Sequence, residues 1–425
     1  MDLLMQEMMR EAAILVCTAK TLEESVKIFI ENQALLKNCK FIFASTHGAT
    51  PALSINQNFS ATGVVRSLFK TNKIWVLDQK TLKEMHEGNG GATFAIDYSV
   101  SLDTQALSYL EPYIYQTSKK IPADFAEVFE FLSREDVNVD PMPYLQENLL
   151  KHNYFTDFDK IFSRYKCYEI LRTLDLEHLR ANKQIRSYLS DEHLNIKTQQ
   201  NLATIIHGID DNVRKGLTFR VECYYCIIMK IAIIHFNRPK LTLAQKMDKI
   251  LDFMDKELTT IFVRELIIAY EFFKQGTKLK FFGKIQNNNL NILRDIRNMA
   301  WDFFHIRQLE ETLTIKFNKK TRYFFPSLLT FDKKFNQIIE ICPLKVCAYF
   351  DGVHQPMPFY DDNAINNFLN ASYEINERYF SNNAKLSRNH RRKNIKNNIK
   401  NLILACEIEL SQFCTSSKDV LLSQN

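Results

Sequence analysis

The chain has 425 residues, 46% of them hydrophobic, with 32 Phe, 17 Tyr and a formal net charge of +6. That length excludes a single domain of ordinary size and leads us to expect two or three units with ample core material. Only 10 Gly and 10 Pro occur, which argues against a sandwich or barrel of short strands and for long helices. The mild positive charge admits an anionic partner without requiring one.

The N-terminal part reads as alternating elements: a strand at Ala12–Cys17, a helix at Leu22–Leu36, and strands at Phe41–Ser45 and Ile74–Leu77. A glycine-rich break at residues 88–91 precedes Thr93–Leu102, rich in β-branched residues, and a helical pattern over Thr104–Tyr115. From about residue 120 to 215 the sequence is charged, amphipathic and without a convincing strand. Helical patterns resume at Arg220–Phe236, Leu243–Met254, Glu257–Lys274 and Asn288–Glu310. Strands are expected at Pro326–Thr330 and Val346–Phe350, ahead of an Asn-rich tail with a basic cluster.

Nine cysteines, an odd number without regular spacing, do not form a disulfide framework, and Cys223-Tyr-Tyr-Cys226 reads as core thiols on a helix. Ala12–Cys17 is too short for a signal core. The longest apolar run, Cys223 to Phe236, is broken by Lys230 and falls short of the roughly 18 residues of a spanning helix. A soluble, reducing, cytoplasmic setting without a membrane partner is expected.

Three segments set acidic side chains in or just after strongly apolar runs. Strand-like sequence ends at Asp103 before the helix opened by Thr104, and open α/β sheets hold their ligands at such carboxyl ends. Helix capping is the plainer role for an Asp at that position. Asp97, six residues earlier, shares its strand face. On a helix, Asp295, Asn298, Asp302 and His305 line one side at spacings of three and four, among Met299, Trp301, Phe303 and Phe304. A helix so apolar should be buried, its polar stripe facing an internal site or its Asp paired with Arg297 or Arg307. The third segment, Leu328-Leu329-Thr330-Phe331-Asp332, again ends an apolar strand in an acid, which a simple turn would also explain. Carboxylates brought to one end of a sheet hold hard cations such as Mg²⁺ or Mn²⁺ and support phosphodiester hydrolysis.

In their order, these segments resemble the motifs of PIN-domain nucleases. Leu102-Asp103-Thr104-Gln105 is similar to the family's first motif, with Gln where Asn is usual. Asp302-Phe303-Phe304-His305 is similar to its later helical motif, and Leu329-Thr330-Phe331-Asp332 with Phe335 to its last. The resemblance implies an α/β fold with a parallel sheet flanked by helices, and Asp103, Asp302 and Asp332, with Asp97 beside them, as metal-site carboxylates. It also implies an intermediate Glu, for which Glu222 is the first choice and Glu265 and Glu271 are rivals; His305 would position a carboxylate or phosphate. RNA is the favoured substrate. On this reading residues 1–88 are an N-terminal α/β extension, 89–119 and 217–350 the two halves of the core, 120–216 a helical insertion able to recruit a protein partner, and 351–425 a basic helical tail. Arg388, Arg391, Arg392, Lys393 and Lys396 of that tail would hold the phosphate backbone, or form a solvated helical face. Two alternatives stand beside it. Arg297 with His305 is similar to the Arg and His pair of HEPN ribonucleases, and a PIN-like fold without metal would be a binding or scaffold protein.

Overall fold

The computed structural model describes residues 3–50, 56–88, 90–117, 120–151, 154–237, 241–361, 363–392 and 395–414, without the side chains of residues 3, 4, 154, 155, 363, 371, 396 and 397. Across these residues the protein is a helix-rich α/β fold with two sheets. Contacts divide it into two units. The first comprises Met1–Asn148, Asn153–Leu202 and Arg307–Asp361; the second comprises Leu149–His152, Ala203–Ile306 and Asp362–Asn425. These lines run differently from the stretches read in the sequence. Residues 153–202 group with the strands, and residues 217–306 group with the tail.

All described strands lie in the first unit: β1 (Cys39–Ala49), β2 (Gln57–Asn58), β3 (Val64–Ser67), β4 (Ile74–Leu77), β5 (Ile96–Leu102), β6 (Val139–Asp140), β7 (Tyr323–Thr330), β8 (Leu344–Phe350) and β9 (Met357–Tyr360). One sheet has the order β4-β1-β8-β9 and is antiparallel throughout. The other has the order β2-β3-β7-β5-β6, with β5 parallel to both β7 and β6. Every residue of β7 is buried, the near-continuous apolar pattern of a strand covered on both faces.

Ala12–Cys17 is not a strand but part of the helix Leu3–Thr18. A short apolar run does not by itself distinguish the two states. Burial here falls on Ala12, Ala13, Val16 and Cys17 while Ile14 and Leu15 are exposed, a helical stripe packed against Phe29, Phe41 and Phe43.

The described part of the second unit is helical. Its centre is the helix Asp211–Asn237, buried nearly all round from Cys223 to Ile234. It packs along the helices Ile395–Ser411 and Leu243–Lys256. No helix among the described residues is long and apolar enough to cross a membrane.

Candidate functional site

Three strands of the first unit end in an Asp that opens the next helix. Asp78 after β4 caps Gln79–Glu87, Asp103 after β5 caps Thr104–Ile114, and Asp332 after β7 caps Lys333–Ile341. Each carboxylate accepts a backbone N–H of the first turn, satisfying donors that the helix leaves unpaired. Asp103 accepts from Ala106 N, while Asp332 accepts from Lys334 N at 2.7 Å and Phe335 N at 3.3 Å.

The pairing of β5 with β7 runs in parallel from Ile96 opposite Tyr323 to Leu102 opposite Leu329, so both strands reach the same sheet edge together. Asp103 N extends the ladder to Leu329 O at 3.3 Å. Asp103 is only 7% exposed. Burial raises its carboxyl to about 7; the Ala106 N–H and the Thr330 hydroxyl oppose the rise, and the Asp332 and Glu147 carboxylates add to it. Glu147, on the helix Met142–Leu149, accepts the Thr104 hydroxyl, and Asp140 at the end of β6 accepts the Ser101 hydroxyl at 2.8 Å. Neither Glu147 nor Asp140 was singled out from the sequence. The available signal was the acid at residue 140 before Pro141, but a two-residue strand has no periodicity to betray it.

The remaining predicted residues lie elsewhere. Asp97 sits at the opposite end of β5 with Oδ1 on its own neighbour Tyr98 N; six residues of strand put it roughly 20 Å from Asp103. Asp302, His305 and Glu222 belong to the second unit, whereas Asp103 and Asp332 belong to the first. Among the described residues no three His, Cys, Asp or Glu side chains converge closely enough to hold a metal ion.

The helix Ile292–Thr312 exposes Leu293, Arg294, Arg297 and Asn298 in its first half, whereas residues 299–306 around Asp302 include no exposed position, as expected of that apolar stretch. Its polar residues consequently occupy different surroundings. Asp295 pairs with Lys284 at 3.1 Å and Asn289 at 3.0 Å, and Asn298 meets solvent. His305 is 4% exposed beside the rings of Trp301 and Phe304, its Nδ1 without a partner, and burial lowers its pKa to about 3. It is a neutral ring in an apolar setting. Arg297 stacks over Tyr225 at 4.0 Å and pairs with Glu407 at 3.6 Å. Glu222 is half-buried, and burial raises its pKa against the pull of Arg297 and Lys400. Glu265 is buried, and Glu271 pairs with Lys274 at 3.9 Å.

Three arginines of the basic tail are engaged within the second unit. Arg388 is buried and donates to Asp255 Oδ1 at 2.6 Å and Tyr379 O at 2.9 Å. Arg391 reaches the other oxygen of Asp255, and Arg392 donates to Thr259 O at 3.2 Å. These side chains tie the helix Asn382–Arg391 and its C-cap to the helix Leu243–Lys256 and the turn after it, because a buried carboxylate requires a cationic partner. Lys393 and the Lys396 side chain lie outside the described residues.

No family model matches this chain, and neither a curated protein nor a solved structure does.

Proposed function

We propose that this protein hydrolyses phosphodiester bonds, RNA being the favoured substrate, at the carboxylate pair Asp103 and Asp332. One observation carries the reading: two adjacent parallel strands run in register to one sheet edge, and each is followed there by a buried or half-buried acid. Carboxylates crowded together raise one another's pKa, and a cation relieves the repulsion. A carboxyl near 7, as at Asp103, exchanges a proton readily at neutral pH. The PIN-like motifs around Asp103 and Asp332 point the same way.

The fit to Mg²⁺ or Mn²⁺ is that of an open site. Asp103 and Asp332 would each contribute carboxylate oxygen, with water and substrate phosphate as the other ligands. Such an ion supplies Lewis acidity toward the phosphate and a more acidic water. Thr330 and the first-turn amides orient the two carboxylates, and the Thr104–Glu147 hydrogen bond holds a third acid nearby.

The test is cleavage of labelled single-stranded RNA and DNA with Mn²⁺, Mg²⁺ or EDTA, comparing wild type with Asp103→Asn and Asp332→Asn. Asn caps a helix about as well as Asp, so both variants keep the fold while losing the charge. Metal-dependent cutting should fall by about a hundredfold or more in each. A second reading, a non-catalytic binding protein, is favoured by the lack of a third converging metal donor among the described residues. Folded wild type that binds but never cuts, with either metal, would decide for it.

A further inference from the structure

At the opposite edge of the same strands lies a basic cleft of about 480 Å³, wholly within the first unit. It forms where β1, β5 and β7 begin and where β4 and β8 end, so several turns of chain converge on one rim. Seven cationic side chains and three carboxylates line it, an excess of four positive charges.

The three acids are already engaged. Glu84 takes both terminal nitrogens of Arg322 at 2.7 and 2.8 Å, and Asp351 pairs with Lys40 at 3.0 Å. Asp78 accepts from Tyr323 Oη and Thr81 N, each at 2.6 Å. Lys37, Lys80, Lys316, Lys319 and Lys320 stand outside these pairs, and all five are exposed around the rim. Like charges gathered this way repel one another, and a bound anion reverses that cost. Ammonium groups are compact point charges suited to phosphate oxygens.

The volume is that of a small-ligand pocket. Among the described lining residues Phe94 is the only aromatic one, and the Arg322 guanidinium already covers its ring at 4.3 Å. Single-stranded nucleic acid calls for open aromatic faces on which successive bases stack, and the described residues of this cleft present none. We infer that the cleft binds a compact oligophosphate, a short chain of linked phosphates either free or carried by a nucleotide, at a site separate from the Asp103–Asp332 pair. The seven residues of β5 set the two sites roughly 20 Å apart.

Calorimetric titration of the full chain with inorganic tripolyphosphate, in EDTA and at low salt, tests the inference. Saturable binding is expected, weakened by added salt. It should fall about tenfold or more in Lys316→Gln/Lys319→Gln/Lys320→Gln and, independently, in Lys37→Gln/Lys80→Gln on the other wall. Both variants should melt with the wild type, because the substituted side chains are exposed. Titration with ATP beside tripolyphosphate separates the two sources: equal affinity assigns recognition to the phosphates alone, and tighter ATP binding adds a contact to the nucleoside. Absence of tripolyphosphate binding, or binding untouched in both variants, would overturn the site. An oligoribonucleotide that binds through these lysines while tripolyphosphate does not would overturn it too. Asp332→Asn should bind like wild type, so failure here and failure of the hydrolytic reading remain distinguishable.

Discussion

His305 and Asp103 are two buried titratable groups whose surroundings push them toward their neutral forms. For His305 burial lowers the pKa from 6.5 to about 3. Between those values the unfolded chain binds a proton that the folded chain refuses. Stability at this position is therefore whole above pH 6.5 and declines as pH falls toward 3. His305→Leu removes the titrating group and the partnerless Nδ1. Relative to wild type, its melting temperature should rise by about 4 °C or more on going from neutral pH to about pH 4. Scanning both proteins across that range checks this; a difference that stays constant with pH would sink the assignment. The sequence made His305 conspicuous through its spacing from Asp302, but spacing does not say whether a ring meets a carboxylate or Trp301. Asp103 and Asp332 were legible because an acid after an apolar strand has few roles, and capping is the one the backbone realises.

Between elements, single carboxylates act as clamps. Asp124 accepts the backbone N–H groups of Ala61, Thr62 and Gly63 at 3.1, 2.6 and 2.7 Å, holding the turn before β3. Asp255 gathers Arg388 and Arg391 from the tail, with both Asp255 and Arg388 nearly shielded from solvent. Removing one partner of a buried pair leaves the other uncompensated. Asp255→Ala should lower the unfolding free energy of the second unit by about 3 kcal/mol, measured by urea titration; a loss below about 1 kcal/mol would mean that the arginines find solvent instead. Strands β1, β4, β5, β7 and β8 were legible as apolar or β-branched runs. Strands β2, β3, β6 and β9 were not, since short runs interrupted by Gln57, Asn58, Arg66, Asp140 or Pro358 lack the unbroken apolar pattern of β4 and owe their state to the neighbour they pair with. The basic run of the tail was visible as charge, but its carboxylate partner stands more than a hundred residues away.

Across the whole molecule, the last described helices complete the second unit. Ile395–Ser411 lies along Asp211–Asn237, with Glu407 accepting from Tyr225 Oη at 2.8 Å and Glu409 pairing with Lys230 at 2.8 Å. A chain ended at Asp361 would strip this cover from the buried run Cys223 to Ile234. It should bind a hydrophobic dye and lose one unfolding transition while the sheets of the first unit keep theirs. Unchanged unfolding and no dye binding would show that the tail is dispensable. The sequence by itself determined the helix-rich α/β class, the main strands and the strand-ending acids, because periodicity and capping are local and act within a few residues. Only the tertiary structure decided which acids share an edge, which cations are spent in internal pairs and which remain around a cleft. Those outcomes depend on parallel pairing between β5 and β7, more than two hundred residues apart, and on burial, which no local pattern encodes.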